Sequence, residues 1–495
     1  MLSELKRLGT HTIIYGLTTV LSRSVTFLLL PIQTYLLGSP VEFGEVTIFA
    51  MFNAFVFVLF CLGFDTAFFR FYMLKETGYT NKNVFSTAFY AICAVSISLS
   101  FLIFYNAGII SDLLLPNRLL EAVENSDIVR WNAGILLFDA LAILPFLVFR
   151  AENRPMLFMT LKIVNVILTV IGNIVFIPIW GKEGVFIANF ISSVITFLTV
   201  SPIVVNRLTI RLSKTVFVGL MKFGLPYIFP GISVVSLDLI DRLFIERMHG
   251  AGMAGIYSAS YRISMIMSII IAAFRFAWHP FFTSISQKEN AKEIYSRVLT
   301  YFVLIVGWIY LFISYFIYFF VKIKLPFIEK YLIREEYWSG LSIIPVVMLA
   351  YVFYGIYVNF IVGIYIKKQS KNLPLITITA AGVNIALNYL LIPSYTMMGA
   401  AVSTAVSYAV MAGIMYFVSQ RIYPIIYEYK RLLLVVCMIS ILFFIPFFVP
   451  HWIKAPVKIL LLIAYPFVLY SVGFYKNEEL KFIRKRVYPF ISFKK

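Results

Sequence analysis

The sequence predicts an all-α polytopic membrane protein. Its expected architecture is fourteen transmembrane helices, as two pseudo-symmetric six-helix lobes (parallel repeats) plus two C-terminal helices, with both termini cytoplasmic. Three observations predict it. Hydrophobic residues make up 61% of the 495 and charged residues only 13%, about half the charged share of an ordinary soluble domain. The apolar residues come in blocks of roughly twenty to thirty, enough for a helix rising 1.5 Å per residue to cross about 30 Å of hydrocarbon. Short patterns also recur between the two halves at two similar offsets.

The spans follow in order. The first, 12–37, carries Arg23 near its middle and contains Pro31. The second, 43–72, closes on LGFDTAFFRFY, which carries Asp65 and Arg70. The third is 83–107, and a polar connection, 108–129, leads to the fourth, 130–150, with Asp139 inside it. The fifth and sixth, 157–178 and 184–206, are divided by the polar run WGKEG. The seventh, 217–245, holds Pro226 and Pro230 between Gly224 and Gly231, a candidate bend, since each proline removes a helix hydrogen bond. The remaining spans are 255–285, 297–321, 338–366, 373–393, 398–420, 431–450 and 453–475. The expected organisation is a first lobe over 1–206, a second over 207–425, the added helices over 426–475 and a basic cytoplasmic tail over 476–495. Short alternating segments are absent, which excludes a barrel.

The formal net charge is +19, yet nucleic acid is not the expected partner, because the bases sit in short loops and the tail. With the N-terminus inside, cytoplasmic segments hold twenty-six Lys and Arg and external segments nine. That asymmetry supports an even span number and cytoplasmic termini. Cys61, Cys93 and Cys437 all lie in apolar runs, and the four histidines are scattered, so neither a metal nor a cofactor is expected. The N-terminal segment lacks the small-residue cleavage site of a signal peptide. No GxxxxGK[ST] phosphate loop occurs.

The repeat rests on two matches. NIVFIPIWGKEG (173–184) and NYLLIPSYTMMG (388–399) share Asn, Pro and Gly at an offset of 215, and Gly44 matches Gly255 at 211. An even displacement in spans keeps membrane orientation, so the halves are expected to be parallel repeats, a transporter layout with its site between them.

Ten charges fall inside spans: Arg23, Asp65, Arg70, Asp139, Lys162, Asp238, Asp241, Arg242, Arg262 and Arg275. Each is costly in lipid and should face protein or an aqueous cavity. Six are bases, which asks for an anionic substrate, and the Arg fork suits phosphate. Blander readings stand beside these. Arg70, Arg275 and Lys162 are placed to snorkel; Asp241 and Arg242 to form a structural ion pair; Asp139 to pair with Lys162, hold a proton or stay neutral. Asp65 and Arg70, five apart, lie about 140° apart around a helix and so should meet different neighbours, with Asp65 expected to brace an Arg from another span.

In the order of its motifs the chain resembles the polysaccharide transporter branch of the multidrug, oligosaccharidyl-lipid and polysaccharide exporter superfamily. The carriers are Arg23 and Pro31, the YLLG…FG stretch at 35–44, GFDTAFFRFY at 63–72 and the two N…IP…G patterns. The resemblance implies a non-enzymatic flippase in the plasma membrane of a prokaryote, working by alternating access. It implies an isoprenoid-diphosphate-linked oligosaccharide as substrate, H+ or Na+ as candidate coupling ion, and membrane lipids and the polysaccharide polymerase machinery as partners. Arg23, Arg70, Arg242, Arg262 and Arg275 are then the expected phosphate-binding residues. Asp65, Asp139, Lys162, Asp238 and Asp241 are expected in charge pairing or coupling, and Pro31, Pro226 and Pro230 in gating. The alternatives are a lipid II flippase and a multidrug/cation antiporter of the same superfamily. A membrane-embedded glycosyltransferase is disfavoured, because the long external loop has acids and little recognition surface.

Overall fold

The computed structural model describes residues 25, 27–73, 80–116, 122–210, 212–324, 330–367, 369–477 and 479. Among them, eleven helices are long and apolar enough to cross a membrane. Below, the end of the helices near Ser39 and Gly250 is termed outer and the opposite end inner, following the orientation expected from the bases.

Helix α1 (Phe27–Leu36) falls in the first expected span; Arg23 lies outside the described residues. The second span is two helices, α2 (Pro40–Cys61) and α3 (Phe64–Met73). The Ser39 hydroxyl accepts from the Glu42 N–H, and Pro40 fills the first turn, where a missing N–H costs little. Leu62 and Gly63 take φ of 52° and 65° and break the chain between the two helices. Then come α4 (Asn81–Tyr105), α5 (Ala107–Leu114) and α6 (Ala122–Ala151). The expected loop 108–129 is therefore corrected: α5 and the start of α6 occupy much of it. Ala107, Ser111 and Leu114 recur at helical spacing and give α5 one buried face.

The fifth and sixth spans form α7 (Pro155–Arg207), 53 residues folded into a hairpin at Trp180 and Gly181, where Gly181 has φ of 52°. Next are α8 (Lys214–Gly224), a 3-10 turn at Leu225–Tyr227, and α9 (Ile228–His249). Pro226 sits in that turn and Pro230 in the first turn of α9, so the break falls at the expected bend. They lead to α10 (Ala251–Ile285) and α11 (Ala291–Val321). A 3-10 stretch, Glu335–Ile343, enters α12 (Ile344–Phe360), which is followed by α13 (Val362–Ile366). The second hairpin is α14 (Leu373–Ile422), turning at Thr396 with φ of 49°. The chain ends in α15 (Tyr429–Phe444) and α16 (Lys454–Ser471). Both pack against α11. The Trp308 indole donates to the Leu462 carbonyl at 3.2 Å, and the Tyr465 hydroxyl to that of Leu304 at 3.1 Å.

The two hairpins repeat in detail. Gly181 and Thr396, 215 apart, make the turns. Gly184 and Gly399, also 215 apart, are the points of closest approach. A Cβ on the first would overlap the Phe176 carbonyl and on the second the Leu391 carbonyl, again 215 apart. Gly44 and Gly255 are not only matched but in contact. A Cβ on Gly44 would overlap the Ala251 carbonyl, and one on Gly255 that of Pro40, so α2 and α10 meet backbone to backbone at the outer end. Toward the inner end, Gly63 meets Gly224 in the same way, joining the α2–α3 break to the end of α8.

Candidate functional site

Burying a charge in hydrocarbon costs several kcal/mol unless partners replace its water. The partners therefore sort the ten charges. In the outer half of α9, Arg242 and Asp241 are 3% and 1% exposed and joined at 3.1 Å. Arg242 also donates to the Asp238 carbonyl and lies 4.4 Å over the Tyr261 ring. The Tyr257 hydroxyl donates to Asp241. Asp238 accepts from Tyr408 at 2.6 Å and from Tyr261 at 3.5 Å, and Tyr351 donates to Tyr261 at 3.3 Å. Arg242, expected to bind substrate, is thus held in a structural ion pair, and tyrosines from α10, α12 and α14 complete its shell.

Arg262, on α10, is different. Its Nη1 donates to Gln33 Oε1 at 2.7 Å, and its guanidinium lies 4.7 Å over the Phe43 ring. Gln33 Nε2 donates in turn to Asn173 Oδ1 at 2.9 Å, and Asn173 Nδ2 to the Thr169 carbonyl at 2.8 Å. This chain of hydrogen bonds through neutral amides ties the second half of the sequence to the first. Arg242 is a charged neighbour of Arg262, and Arg262 has no carboxylate partner among the described residues.

Arg70 and Arg275 lie apart, exposed at the inner end. Arg70 covers the Phe223 ring at 4.7 Å, and Arg275 donates to the Tyr354 hydroxyl at 2.6 Å. Neither pairs with a carboxylate among the described residues. Thirteen residues of α10, about 20 Å of helix, separate Arg275 from Arg262, so the expected bases do not form one cluster. Asp65 is corrected too. It is exposed, and its carboxylate accepts from the Thr66 N–H at 2.9 Å instead of bracing an Arg from another span.

Asp139, hydrogen-bonded to Ser193, and Lys162 are charged neighbours within the first half of the chain, with no ion pair inside 4 Å among the described residues, and the Lys162 ammonium lies 4.2 Å over the Phe146 ring. Asp139 lines a cavity of about 270 Å³ between α2, α6 and α7. Four asparagines share that lining: Asn53, Asn132, Asn165 and Asn189.

Sequence reading missed several of these residues. Gln33 and the four tyrosines resemble ordinary span residues, and only Asn173 was marked, by the repeat. Lys182, assigned to an external loop, is 3% exposed and paired at 2.7 Å with Glu45, itself 1% exposed. That pair fastens α2 to the turn of α7. Among the described residues no group of His, Cys, Asp and Glu could hold a metal ion.

A family model described as "Polysaccharide biosynthesis protein" matches residues 36–333. No curated protein matches the sequence. Among solved structures, the lipid II flippase MurJ in an inward closed conformation aligns with a TM-score of 0.75 at 15% identity, over 93% of this chain and 99% of its own. An inward-facing multidrug resistance MATE family transporter of the MOP superfamily aligns at 0.63 with 14% identity, over 81% and 94%. A MOP superfamily transporter from Pyrococcus furiosus aligns at 0.59 with 16% identity, over 83% and 95%. At such identities the likeness is one of fold: an all-α, multi-span membrane transporter fold.

Proposed function

The chain belongs to the polysaccharide biosynthesis protein family, and on that premise we propose that it carries an isoprenoid-diphosphate-linked saccharide from the inner to the outer leaflet by alternating access. The observation that carries this reading is Arg262. It is a guanidinium inside a span, held by the neutral Gln33 amide and lacking a carboxylate partner among the described residues, and so equipped to meet phosphate oxygens bidentately. Arg70 and Arg275 at the inner end suit a first encounter with the headgroup, and Arg23 is proposed to add a further base. Arg242, neutralised by Asp241, is proposed to act as support.

The proposed architecture is fourteen spans with both termini cytoplasmic, in lobes over 1–206 and 207–425. Helices over 426–475 and a basic tail over 476–495 complete it. Two hairpins that repeat at an offset of 215 support the lobes, and the packing of α15 and α16 on α11 supports a lateral addition. The plasma membrane of a prokaryote is the proposed location, and a polysaccharide polymerase a proposed partner. H+ or Na+ is the proposed coupling ion, with Asp238 and Asp241 as its carboxylates.

Two substrates share this chemistry. The family description favours an oligosaccharide for a surface polysaccharide, the reading drawn from the sequence. The fuller and closer structural likeness to the lipid II flippase than to the multidrug transporters favours lipid II, and on these comparisons lipid II is the better supported. The test is translocation in proteoliposomes of two fluorescent substrates, lipid II and an isoprenyl-diphosphate oligosaccharide. Transport of either, lost in Arg262→Ala, supports the reading; wild-type rates in Arg262→Ala overturn the anion site, and transport of neither overturns the function.

A further inference from the structure

We propose that the asparagine-lined cavity of the first half is a sugar subsite that holds the single ring attached directly to the diphosphate. The inference rests on the reading above and adds a specificity element to it.

The size of the cavity is the first reason. Its volume of about 270 Å³ is some nine times the ~30 Å³ that a water occupies in the liquid. A bare cation needs oxygens at about 2.3–2.6 Å on every side, and this space is too wide for that. It also falls just below the ~300–1,000 Å³ of sites for drug-sized ligands, the scale of one pyranose ring.

The chemistry of the lining is the second. Asn165 spends both amide hydrogens on Ser192 and Thr196, at 2.9 Å each, which leaves its carbonyl to accept. Asn53 donates once, to Asn132 at 2.8 Å, keeping one N–H and its carbonyl. Asn189 makes no side-chain hydrogen bond among the described residues and offers two donors and an acceptor. Asp139, already hydrogen-bonded to Ser193, adds its remaining acceptor capacity, with Lys162 as its charged neighbour. Donors and acceptors are therefore mixed. A phosphate, which only accepts, suits such a wall poorly; sugar hydroxyls, which donate and accept, suit it well. Phe186 gives the cavity an apolar surface on which the C–H face of a ring can rest.

Position is the third. Thr169 lines the cavity, and its carbonyl accepts from Asn173, whose own amide is linked through Gln33 to Arg262. Three hydrogen bonds thus connect the sugar cavity to the anion site. A ligand with phosphate at Arg262 would carry its nearest ring, not a distal one, toward the asparagines.

The experiment measures binding of bare isoprenyl diphosphate and of isoprenyl-diphosphate monosaccharides to the purified full chain. The monosaccharides carry glucose, galactose, N-acetylglucosamine, N-acetylgalactosamine or N-acetylmuramic acid. We expect at least one sugar to tighten binding about tenfold over the bare lipid, the worth of one or two well-made hydrogen bonds. Asn189→Ala and Ala50→Phe, the second filling the cavity from an exposed lining position, should each abolish that gain while leaving affinity for the bare lipid unchanged. If the bare lipid binds and no sugar improves on it, or the gain survives in both variants, the subsite is overturned and the anion site stands. If both variants instead change only the dependence on Na+ or H+, the cavity is an ion site and the proposal falls. If the bare lipid does not bind the wild type, the functional reading falls first.

Discussion

Gly44→Ala is the substitution with the most legible consequence. The added Cβ would overlap the Ala251 carbonyl oxygen, lie 2.7 Å from its carbon and stand 3.0 Å from the Gly255 nitrogen. Ordinary contact begins at 3.4 Å, so clearing the carbonyl carbon alone asks α2 and α10 to part by 0.7 Å at the outer seam, and clearing the nearer oxygen asks for more. The obstacle is backbone on both sides and cannot be relieved by a rotamer. Overpacking of this kind costs about 1–3 kcal/mol. If the seam opens during transport, that cost falls on the closed state alone and shifts the equilibrium toward outer opening by about 5- to 150-fold. The assay is labelling by a membrane-impermeant maleimide added from outside, in a background with the three native cysteines replaced by serine. The reporter is Met51→Cys, seven residues below Gly44 and 4% exposed. Its labelling should rise within that range in Gly44→Ala and again in Gly255→Ala. Unchanged labelling in both, with protein of normal yield and dispersity, would refute the idea that this seam is the outer gate.

Three further outcomes follow from the same geometry. Arg262→Ala should weaken binding of isoprenyl diphosphate by about 10- to 150-fold, the worth of a charge-assisted hydrogen bond of roughly 1.5–3 kcal/mol, and Arg262→Lys should recover only part of it; calorimetric titration distinguishes them. Asp241→Asn leaves Arg242 buried and unpaired and should cost about 3–5 kcal/mol. Arg242→Met in the same chain should return most of that, so a denaturation midpoint that drops equally in the double variant argues against an ion pair. At the inner end, burial opposes the charge of Glu428, but Lys476, the Thr300 hydroxyl and Arg431 hold its carboxyl below the ordinary 4.5. A depressed value stabilises the fold above that pH and the gain is lost as pH falls through the folded value. The contact of Lys476 with Glu428 at 2.6 Å should therefore loosen only below about pH 4.5; a spin label at Asn477 whose mobility is the same at pH 7 and about pH 3 would exclude this.

What could be read from the sequence divides along a physical line. Span positions depend on local hydropathy, and every expected span from the second to the last has helix over it. The hairpins were legible because backbone that approaches so tightly needs glycine, and Gly184 and Gly399 announce it; the reversal at Thr396 carried no such signal. The facing of charges was not legible. Whether Asp65 points at a distant Arg or at its own helix start depends on how α3 is rotated, and packing against other helices sets that rotation. Lys182 shows the same limit. Its neighbours in the chain are polar, so it reads as loop, yet the carboxylate that buries it lies 137 residues away. Gln33 carried no signal at all, since an amide in a span acquires meaning only from the Arg and Asn on either side of it.

The proposed parallel repeat also constrains where a substrate can pass. Two residues related by a two-fold axis can touch only beside that axis. Gly44 and Gly255, matched in the repeat, touch, so the axis runs through the outer seam and the lobes close there on each other's backbone. The side chains around it do not obey the symmetry. Asn173 is engaged by Gln33 and through it by Arg262. Its counterpart Asn388 donates to Asn384 at 3.0 Å, within the same helix. The first half holds the open, asparagine-rich, hydrogen-bonding cavity with Asp139 in its wall; the second holds the aspartates and tyrosines around Arg242. A duplicated scaffold with unequal linings can hold two unlike parts of one molecule at once, a sugar on one side and a charged group on the other. Under the proposed function, a symmetric backbone seam with asymmetric chemistry below it suits a headgroup of that composition.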